Sequence, residues 1–171
     1  MLPACLAVVA VGSALERSAG QAKRYGLLAA VCEEGFRTFA QFLWQALEEK
    51  EPLDRMNRTR LQYLHFAIEH GTYYRTMFMT SVEQLGWTKM PQQNQERSHA
   101  TFLFLVDRVR ECQQAQLLQA GDPERLAVQL WAHGHGLASL WLAGHLNVMN
   151  AQEFEELYVA SCAAQLAGLA P

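Results

Sequence analysis

Apolar residues recur at three- and four-residue steps through most of this chain, which is the spacing of an amphipathic α-helix. A shorter helix of about two turns is predicted over residues 72–79. No segment shows the alternation of a half-buried strand. The pattern therefore predicts an all-α helical bundle of about six helices. The longer predicted helices cover residues 25–50, 52–70, 96–120, 122–147 and the C-terminal stretch after Asn150.

Capping residues define the start of the last two predicted helices. Asp122 is a preferred N-cap residue, and Pro123 after it suits the first helical position. Asn150 with Glu153 three residues later resembles a capping box. Both helix starts are therefore well defined by the sequence.

The predicted connections near the short helix are less regular. Gly71 is expected to end the second helix, and Thr72 is expected to cap the short one. Residues 80–95 form the only long stretch without a helical pattern, although Leu85 and Trp87 indicate that it folds back onto the core. A loop of this length in a helical domain is typical of a cover or an entrance.

Residues 122–147 form the longest apolar helix candidate, with apolar positions around almost the whole circumference. Such a helix is buried on more than one side. Gly134, Gly136 and Gly144 each cost up to about 1 kcal/mol in a helix interior, so a compensating gain is expected. Gly134 and Ala138 lie one turn apart, which predicts the close approach of another backbone.

Composition and charge narrow the function classes. The 171 residues suffice for one domain with a sizeable core. Hydrophobic residues make up 50% of the chain, only 18% are charged, and the formal net charge is −3. Nucleic-acid-binding domains usually present a basic face, so this chain as it stands is not expected to bind DNA. Cys5, Cys32, Cys112 and Cys162 form no CxxC pair, which favours free thiols and a cytoplasmic location.

The stretch at residues 1–15 is apolar but lacks the features of an export signal. No Lys or Arg precedes the apolar run, and the run is too short to cross a bilayer. A packed or irregular N-terminal helix is favoured over export. No other segment reaches membrane length without charges, so no membrane association is predicted.

Patterns that carry catalysis or bind metals are sparse. His133 and His135 lie roughly 200° apart around a helix, so they cannot share a metal ion. Glu96 and His99 form one Glu-x-x-His step, whereas a helical di-iron site needs two such steps and two further carboxylates. No Ser or Cys lies in a Gly-flanked elbow, and no Gly-rich phosphate loop is present. The sequence therefore predicts no catalytic residue, no metal and no cofactor.

A surplus of aromatic residues with polar groups among them indicates a small-molecule pocket. For any single one of these residues, burial in the core is the simpler interpretation. As a set they are harder to explain by packing alone, because an apolar cavity with a few hydrogen-bonding groups is the usual form of a small-molecule site. The residues of this set are Tyr63, His65, Tyr73, Tyr74, Trp131 and His135.

Three stretches, taken in order, resemble a known family. They are LLAAVCEEGFRTFAQFLWQAL at 27–47, LQYLHFAIEHGTYYRTMF at 61–78, and Trp131, His135 and Gly136 with the leucines after them. In this order and spacing they are similar to the C-terminal effector-binding and dimerisation domain of TetR-type transcriptional regulators, in the subgroup with a Trp-His-Gly signature. The resemblance covers most of the chain and implies a TetR-like ligand-binding and dimerisation domain at residues 23–171.

Family members carry a helix-turn-helix in front of this domain. Residues 1–22 are too short for a helix-turn-helix domain and lack its basic residues and helical pattern. We therefore assign them as an N-terminal apolar or irregular segment. DNA binding is expected only if a fuller gene product supplies the helix-turn-helix.

The resemblance implies a homodimer in which the last two helices pair with those of a second subunit as a four-helix bundle. Small residues on these helices agree with close packing. The predicted interface residues are Gly134, Ala138, Trp141, Ala160, Ala163 and Ala164.

The resemblance also places a pocket among the middle helices, where a small, mostly apolar or aromatic effector would bind. Either His135 or Tyr63 is expected to be the polar anchor. A helical interaction or dimerisation module without a ligand, and a helical metal-dependent enzyme, are the alternatives. The predicted pocket residues are Phe39, Tyr63, Phe66, Phe78, Phe104, Trp131 and His135.

Overall fold

The computed structural model describes the backbone of residues 4–171 and the side chains of residues 20–171. No strand occurs among residues 4–171, so the predicted all-α fold is confirmed. Short 3-10 helices at Gln45–Glu48 and Trp87–Lys89 and a π-helix at Arg75–Met79 complete the chain. The α-helices are α1 (Ala4–Trp44), α2 (Pro52–Glu69), α3 (Gly71–Tyr74), α4 (Val82–Leu85), α5 (Gln92–Gln114), α6 (Pro123–Leu142) and α7 (Ala151–Ala167).

Helix α1 is continuous across the predicted boundary between residues 22 and 23. Cys32, Phe36, Phe39 and Leu43 follow one another at three- or four-residue steps and are buried, so this stripe faces the core. The helix predicted to reach residue 50 ends at Trp44 and tightens into a 3-10 turn. The expected packing of residues 1–15 and the side chain of Cys5 lie outside the described residues.

A new helix begins one residue after α2, which corrects the roles predicted for Gly71 and Thr72. Helix α2 ends at Glu69 as expected, but Gly71 opens α3 with His70 as the preceding cap. A Cβ on Gly71 would lie 3.3 Å from Leu142, so this glycine permits close packing on α6 instead of ending a helix. The Arg75 side chain then donates a hydrogen bond to the Leu142 carbonyl at 2.6 Å, which fixes the same junction.

Residues 80–95, predicted to be irregular, contain two short helices and the start of α5. The Ser81 hydroxyl accepts a hydrogen bond from the Gln84 backbone and begins α4. Leu85 and Met90 are buried in the main core, so the predicted folding back is confirmed. Asn94 donates a hydrogen bond from Nδ2 to the Ala29 carbonyl at 2.7 Å. This segment therefore covers α1.

Helices α6 and α7 begin where their capping residues predict. The Asp122 carboxylate accepts from the Glu124 backbone, and Asn150 forms the expected capping box with Glu153. Helix α6 ends at Leu142 instead of residue 147, and α5 ends at Gln114 instead of residue 120. No helix of the described residues has both the length and the hydropathy needed to span a membrane.

Buried side chains form three neighbouring clusters. The first, around Phe39, joins α1, α2 and the π-helix. The second, around Val109, packs α5 against α6, and the third, around Phe154, packs α7 against α2. A cavity lies where the three clusters meet.

Candidate ligand-binding site

The cavity has a volume of about 120 Å³ and is lined by residues from α1, α2, the π-helix, α5, α6 and α7. Most of its wall is apolar. An apolar cleft or cavity with a few polar groups is the usual form of a small-molecule site. The lining residues are Phe39, Leu43, Thr59, Arg60, Tyr63, Phe78, Ser98, Thr101, Phe102, Leu105, Leu130, Trp131, Gly134 and Tyr158.

Aromatic rings in edge-to-face contact shape one wall of the cavity. The ring centre of Phe39 lies 5.6 Å from that of Tyr63 and 5.7 Å from that of Phe78. The Trp131 ring approaches Phe78 at 6.3 Å. Edge-to-face pairs at these separations are favourable beyond the area they bury. These four rings come from four separate helical segments, namely α1, α2, the π-helix and α6, and together they form one wall.

A chain of hydrogen bonds runs behind this wall. The Trp131 Nε1–H donates to the Tyr63 hydroxyl at 3.2 Å, and the Tyr63 and Tyr74 hydroxyls are 2.9 Å apart. The Tyr74 hydroxyl lies 2.7 Å from His135 Nδ1, and Ser139 Oγ lies 3.3 Å from Nε2. Because indole can only donate, the Tyr63 hydroxyl accepts from Trp131. One arrangement that satisfies every group then has Tyr63 donating to Tyr74, Tyr74 donating to Nδ1, and Nε2–H donating to Ser139.

Burial keeps the side chains of this hydrogen-bond network uncharged. Desolvation lowers the pKa of His135 and raises the pKa values of Tyr63 and Tyr74. At neutral pH the imidazole is therefore uncharged and both hydroxyls are protonated. Each of these side chains already has a hydrogen-bond partner, so the hydrogen-bond network is a rigid support for the cavity wall.

Arg60 brings a positive charge into the cavity lining from α2. Its side chain is buried, with 5% of the residue exposed, and desolvation lowers its pKa. Nη1 donates to the Cys162 carbonyl at 2.8 Å and Nη2 donates to Gln165 Oε1 at 2.6 Å. Nε is buried without a hydrogen-bond partner among the residues described. A buried donor in this state carries a desolvation penalty.

The sequence of these helices matches a known domain family. A family model described as tetracyclin repressor-like, C-terminal domain matches residues 58–164. The chain belongs to this family. Apart from Phe39 and Leu43 on α1, all the cavity-lining residues lie within the match. Domains of this family are regulatory and non-enzymatic, and they typically dimerise and bind ligands.

A solved structure supports the same fold for the TetR-like domain. It is a protein with unknown function from Rhodococcus sp. RHA1, which is 27% identical to this chain with a TM-score of 0.74. The similarity covers 86% of this chain and 74% of that one. No curated protein matches the chain. The Trp-His-Gly subgroup stays a prediction.

The structure brings four of the seven predicted pocket residues to the cavity of the TetR-like domain. These are Phe39, Tyr63, Phe78 and Trp131. The other three lie outside the lining, and the binding role of the whole set stays a prediction.

His135, Phe66 and Phe104 occupy different positions from those predicted. His135 lies behind the wall and is held by the tyrosine hydroxyls. Phe66 packs against Phe39 with ring centres 4.9 Å apart. Phe104 lies elsewhere on α5, where the Arg108 guanidinium is 4.6 Å from its ring centre.

Sequence reasoning missed Arg60 and the α5 side of the cavity. A signal for Arg60 was present, because it follows Met56 by one helical turn and precedes Tyr63 by three residues, on the buried face of α2. A charged residue on an apolar face is an informative exception to ordinary burial. The α5 residues Ser98 and Thr101 gave no comparable signal, since small polar residues are common on exposed helix faces.

The predicted interface residues divide into two groups. Gly134 and Ala138 are buried within the subunit, and a Cβ on Gly134 would lie 2.6 Å from the Tyr158 hydroxyl. Trp141 stacks on Phe154 with ring centres 4.5 Å apart. The remaining residues, Ala160, Ala163 and Ala164, are exposed on α7. The close approach that Gly134 permits is thus made by α7 of the same subunit.

The other histidine of α6 and the buried cysteines lie apart from the cavity lining and show no sign of a metal site or a reactive thiol. His133 Nε2 lies 2.8 Å from Ser161 Oγ, away from the partners of His135. No group of three His, Cys, Asp or Glu residues suited to a metal ion occurs among the described residues. Cys32, Cys112 and Cys162 are free thiols, and burial raises their pKa values, that of Cys112 to about 11. High pKa values make these thiols poor nucleophiles.

Proposed function

We propose that this TetR-like domain binds a small apolar or aromatic effector in the cavity and forms a homodimer through α6 and α7. The observation that carries the proposal is a mostly apolar cavity, lined by six helical segments, in a domain whose family typically binds ligands. A cytoplasmic location, suggested by the spacing of the cysteines, is part of the same proposal.

Ligand binding can act at a distance through α1. Phe39 and Leu43 contribute to the cavity, and α1 has 41 residues, so it is roughly 60 Å long. A ligand that favours one position of these residues would therefore shift the N-terminal end of the helix. The size of the shift in equilibrium depends on the difference in ligand affinity between the two arrangements. In a longer family member, this shift in conformation would reposition the DNA-binding domains.

The homodimer proposal is supported by the outer face of α7. Phe154, Tyr158 and Cys162 on one side are buried, yet the opposite side is also apolar. An apolar exposed helix face favours contact with a partner, and a second copy is the partner that the family implies. The exposed apolar residues of α7 include Leu157, Val159, Ala160, Ala163, Ala164 and Ala167.

A thermal-shift screen of small aromatic and aliphatic compounds tests the proposed binding. A ligand at a hundred times its Kd stabilises a protein by about 2.7 kcal/mol, which corresponds to roughly 5–10 °C for a chain of this length. We expect Leu105→Phe to abolish this shift, because Leu105 lines the cavity and the added ring would occupy it.

Leu103→Phe on the same helix is the matched control, because Leu103 does not contribute to the cavity lining. The control should keep the thermal shift of the parent protein. If no compound in the screen shifts the parent protein, ligand binding is contradicted and an interaction module becomes the better account. If both variants keep the shift, the ligand binds somewhere other than this cavity.

A further inference from the structure

A groove on the surface between α1 and α5 lies directly beside the cavity. Its volume is about 330 Å³, and its lining residues belong to these two helices. Leu43 of α1 and Thr101 of α5 line both the groove and the cavity. These two side chains therefore form the partition between the two spaces.

The partition consists of side chains that form no hydrogen bond across it. Leu43 is apolar and only 3% exposed. The Thr101 hydroxyl donates a hydrogen bond to the Ser98 carbonyl of its own helix at 2.8 Å. Rotation of the two side chains would therefore join the cavity to the groove without breaking a hydrogen bond between α1 and α5.

Aromatic rings from both helices make the walls of the groove apolar. Phe36 lies on α1 and Phe104 on α5. Trp44, the last residue of α1, also lines the groove and is 59% exposed. Large apolar side chains left in contact with solvent along a groove are typical of a binding surface. The groove thus continues the apolar wall of the cavity toward the surface.

The charged residues of the groove are compensated within the protein. Arg37 Nε donates to the Glu34 carboxylate at 2.9 Å. Arg97 Nη1 donates to the Glu33 carboxylate at 3.4 Å. Because each guanidinium in the groove lining has a carboxylate partner on α1, the groove needs no charged ligand for balance. An uncharged apolar chain is therefore the best match for its interior.

The size of the cavity limits how much of a ligand it can hold by itself. Its volume of about 120 Å³ is close to the roughly 150 Å³ of an apolar protein cavity known to hold benzene. The cavity alone therefore accommodates about six carbon atoms. A longer molecule has to extend beyond the cavity, and the groove behind Leu43 and Thr101 is the adjoining apolar space.

We propose that the ligand is an elongated, uncharged molecule whose unbranched apolar chain has more than about six carbons. One end of the chain lies in the cavity, the middle passes between Leu43 and Thr101, and the polar end lies in the groove near solvent. The assignment rests on the proposed function and names the ligand class for the same site. It gives Phe104 a place beside the ligand, in the groove instead of the cavity.

Calorimetric titration of the full chain with primary, unbranched alcohols tests the assignment. The probes are butanol, hexanol, octanol and decanol, which differ only in chain length. Each buried CH₂ group should tighten binding about threefold to fourfold, so decanol should bind roughly a hundredfold more tightly than hexanol. A gain in affinity that ends at hexanol in the parent protein would overturn the assignment, because the chain would then be confined to the cavity.

Ala40→Trp closes the groove and leaves the cavity open. Ala40 lines the groove but not the cavity, so this variant should bind hexanol like the parent protein and decanol no more tightly than hexanol. Ala30→Trp is the matched control, because Ala30 is exposed on the same helix and lines neither space. The control should keep the full gain from hexanol to decanol.

The variants also show where the additional carbons lie. Retention of the gain in Ala40→Trp would overturn the assignment, as would its loss in Ala30→Trp, because the gain would then not depend on the groove. If Ala40→Trp does not fold, Ala40→Leu makes the same comparison with a smaller side chain. Failure of all four alcohols to bind overturns the elongated ligand, whereas the proposed function fails only if the wider thermal-shift screen finds no ligand.

Discussion

The Ala163→Glu protein should sediment as a monomer at concentrations where the parent protein is a dimer. Ala163 lies on the exposed apolar face of α7, next to Ala164 and one turn from Ala160. In a two-fold symmetric interface the substitution places two carboxylates in the contact. Burying an unpaired charge costs several kcal/mol, so the dimer dissociation constant should rise at least about a hundredfold. Sedimentation velocity over a concentration series measures this change.

Ala100→Glu supplies the control for the dimer experiment. Ala100 is an exposed alanine within α5, which lies outside the proposed interface. It should sediment like the parent protein, and both variants should keep their helical circular dichroism. A parent protein that is monomeric throughout the series contradicts the dimer proposal, as does an Ala163→Glu protein that dimerises normally.

Gly134→Ala should destabilise the fold, although alanine is normally the better residue in a helix. An added Cβ would lie 2.6 Å from the Tyr158 hydroxyl, which in turn donates to the Arg60 carbonyl. Tyr158 is only 1% exposed, so its ring has little room to move. Overpacking of this kind costs about 1–3 kcal/mol. Urea unfolding at one fixed protein concentration measures the free energy of unfolding.

Gly136→Ala makes the matched comparison on the same helix. No atom lies within 4 Å of a Cβ built at Gly136. This substitution should therefore raise the free energy of unfolding by up to about 1 kcal/mol through helix propensity alone. Two changes of the same chemistry should thus have opposite signs. Equal stabilisation by both would show that α6 and α7 are not packed closely at Gly134.

Local hydrogen bonding explains which parts of the fold were predictable from sequence. Asp122 and Asn150 determine helix starts through bonds to backbone groups within three residues, so their signals are complete in the sequence. Gly71 was misread because its role depends on Leu142, which is distant in the chain. In residues 80–95 the Ser81 cap is local, but the packing of Leu85 and Met90 against the core depends on residues distant in the chain. Such tertiary contacts are not encoded in local periodicity.

The cavity was predictable in its aromatic part and missed in its charged part. Helical spacing and aromatic content indicated Phe39, Tyr63 and Trp131, which do line it. The predicted choice of His135 or Tyr63 as anchor could not anticipate that Tyr74 would satisfy both of them. Arg60 was overlooked because charged residues usually face solvent, and its unused Nε becomes visible only when its partners are known.

The most direct measurement is a crystal structure of the full chain grown with a bromine-substituted form of a compound that raises its melting temperature, with data collected at the bromine absorption edge. We expect one anomalous peak per subunit inside the cavity, between Phe39 and Leu130. A bromine peak found only outside the cavity would contradict the claim that this space is the ligand-binding site.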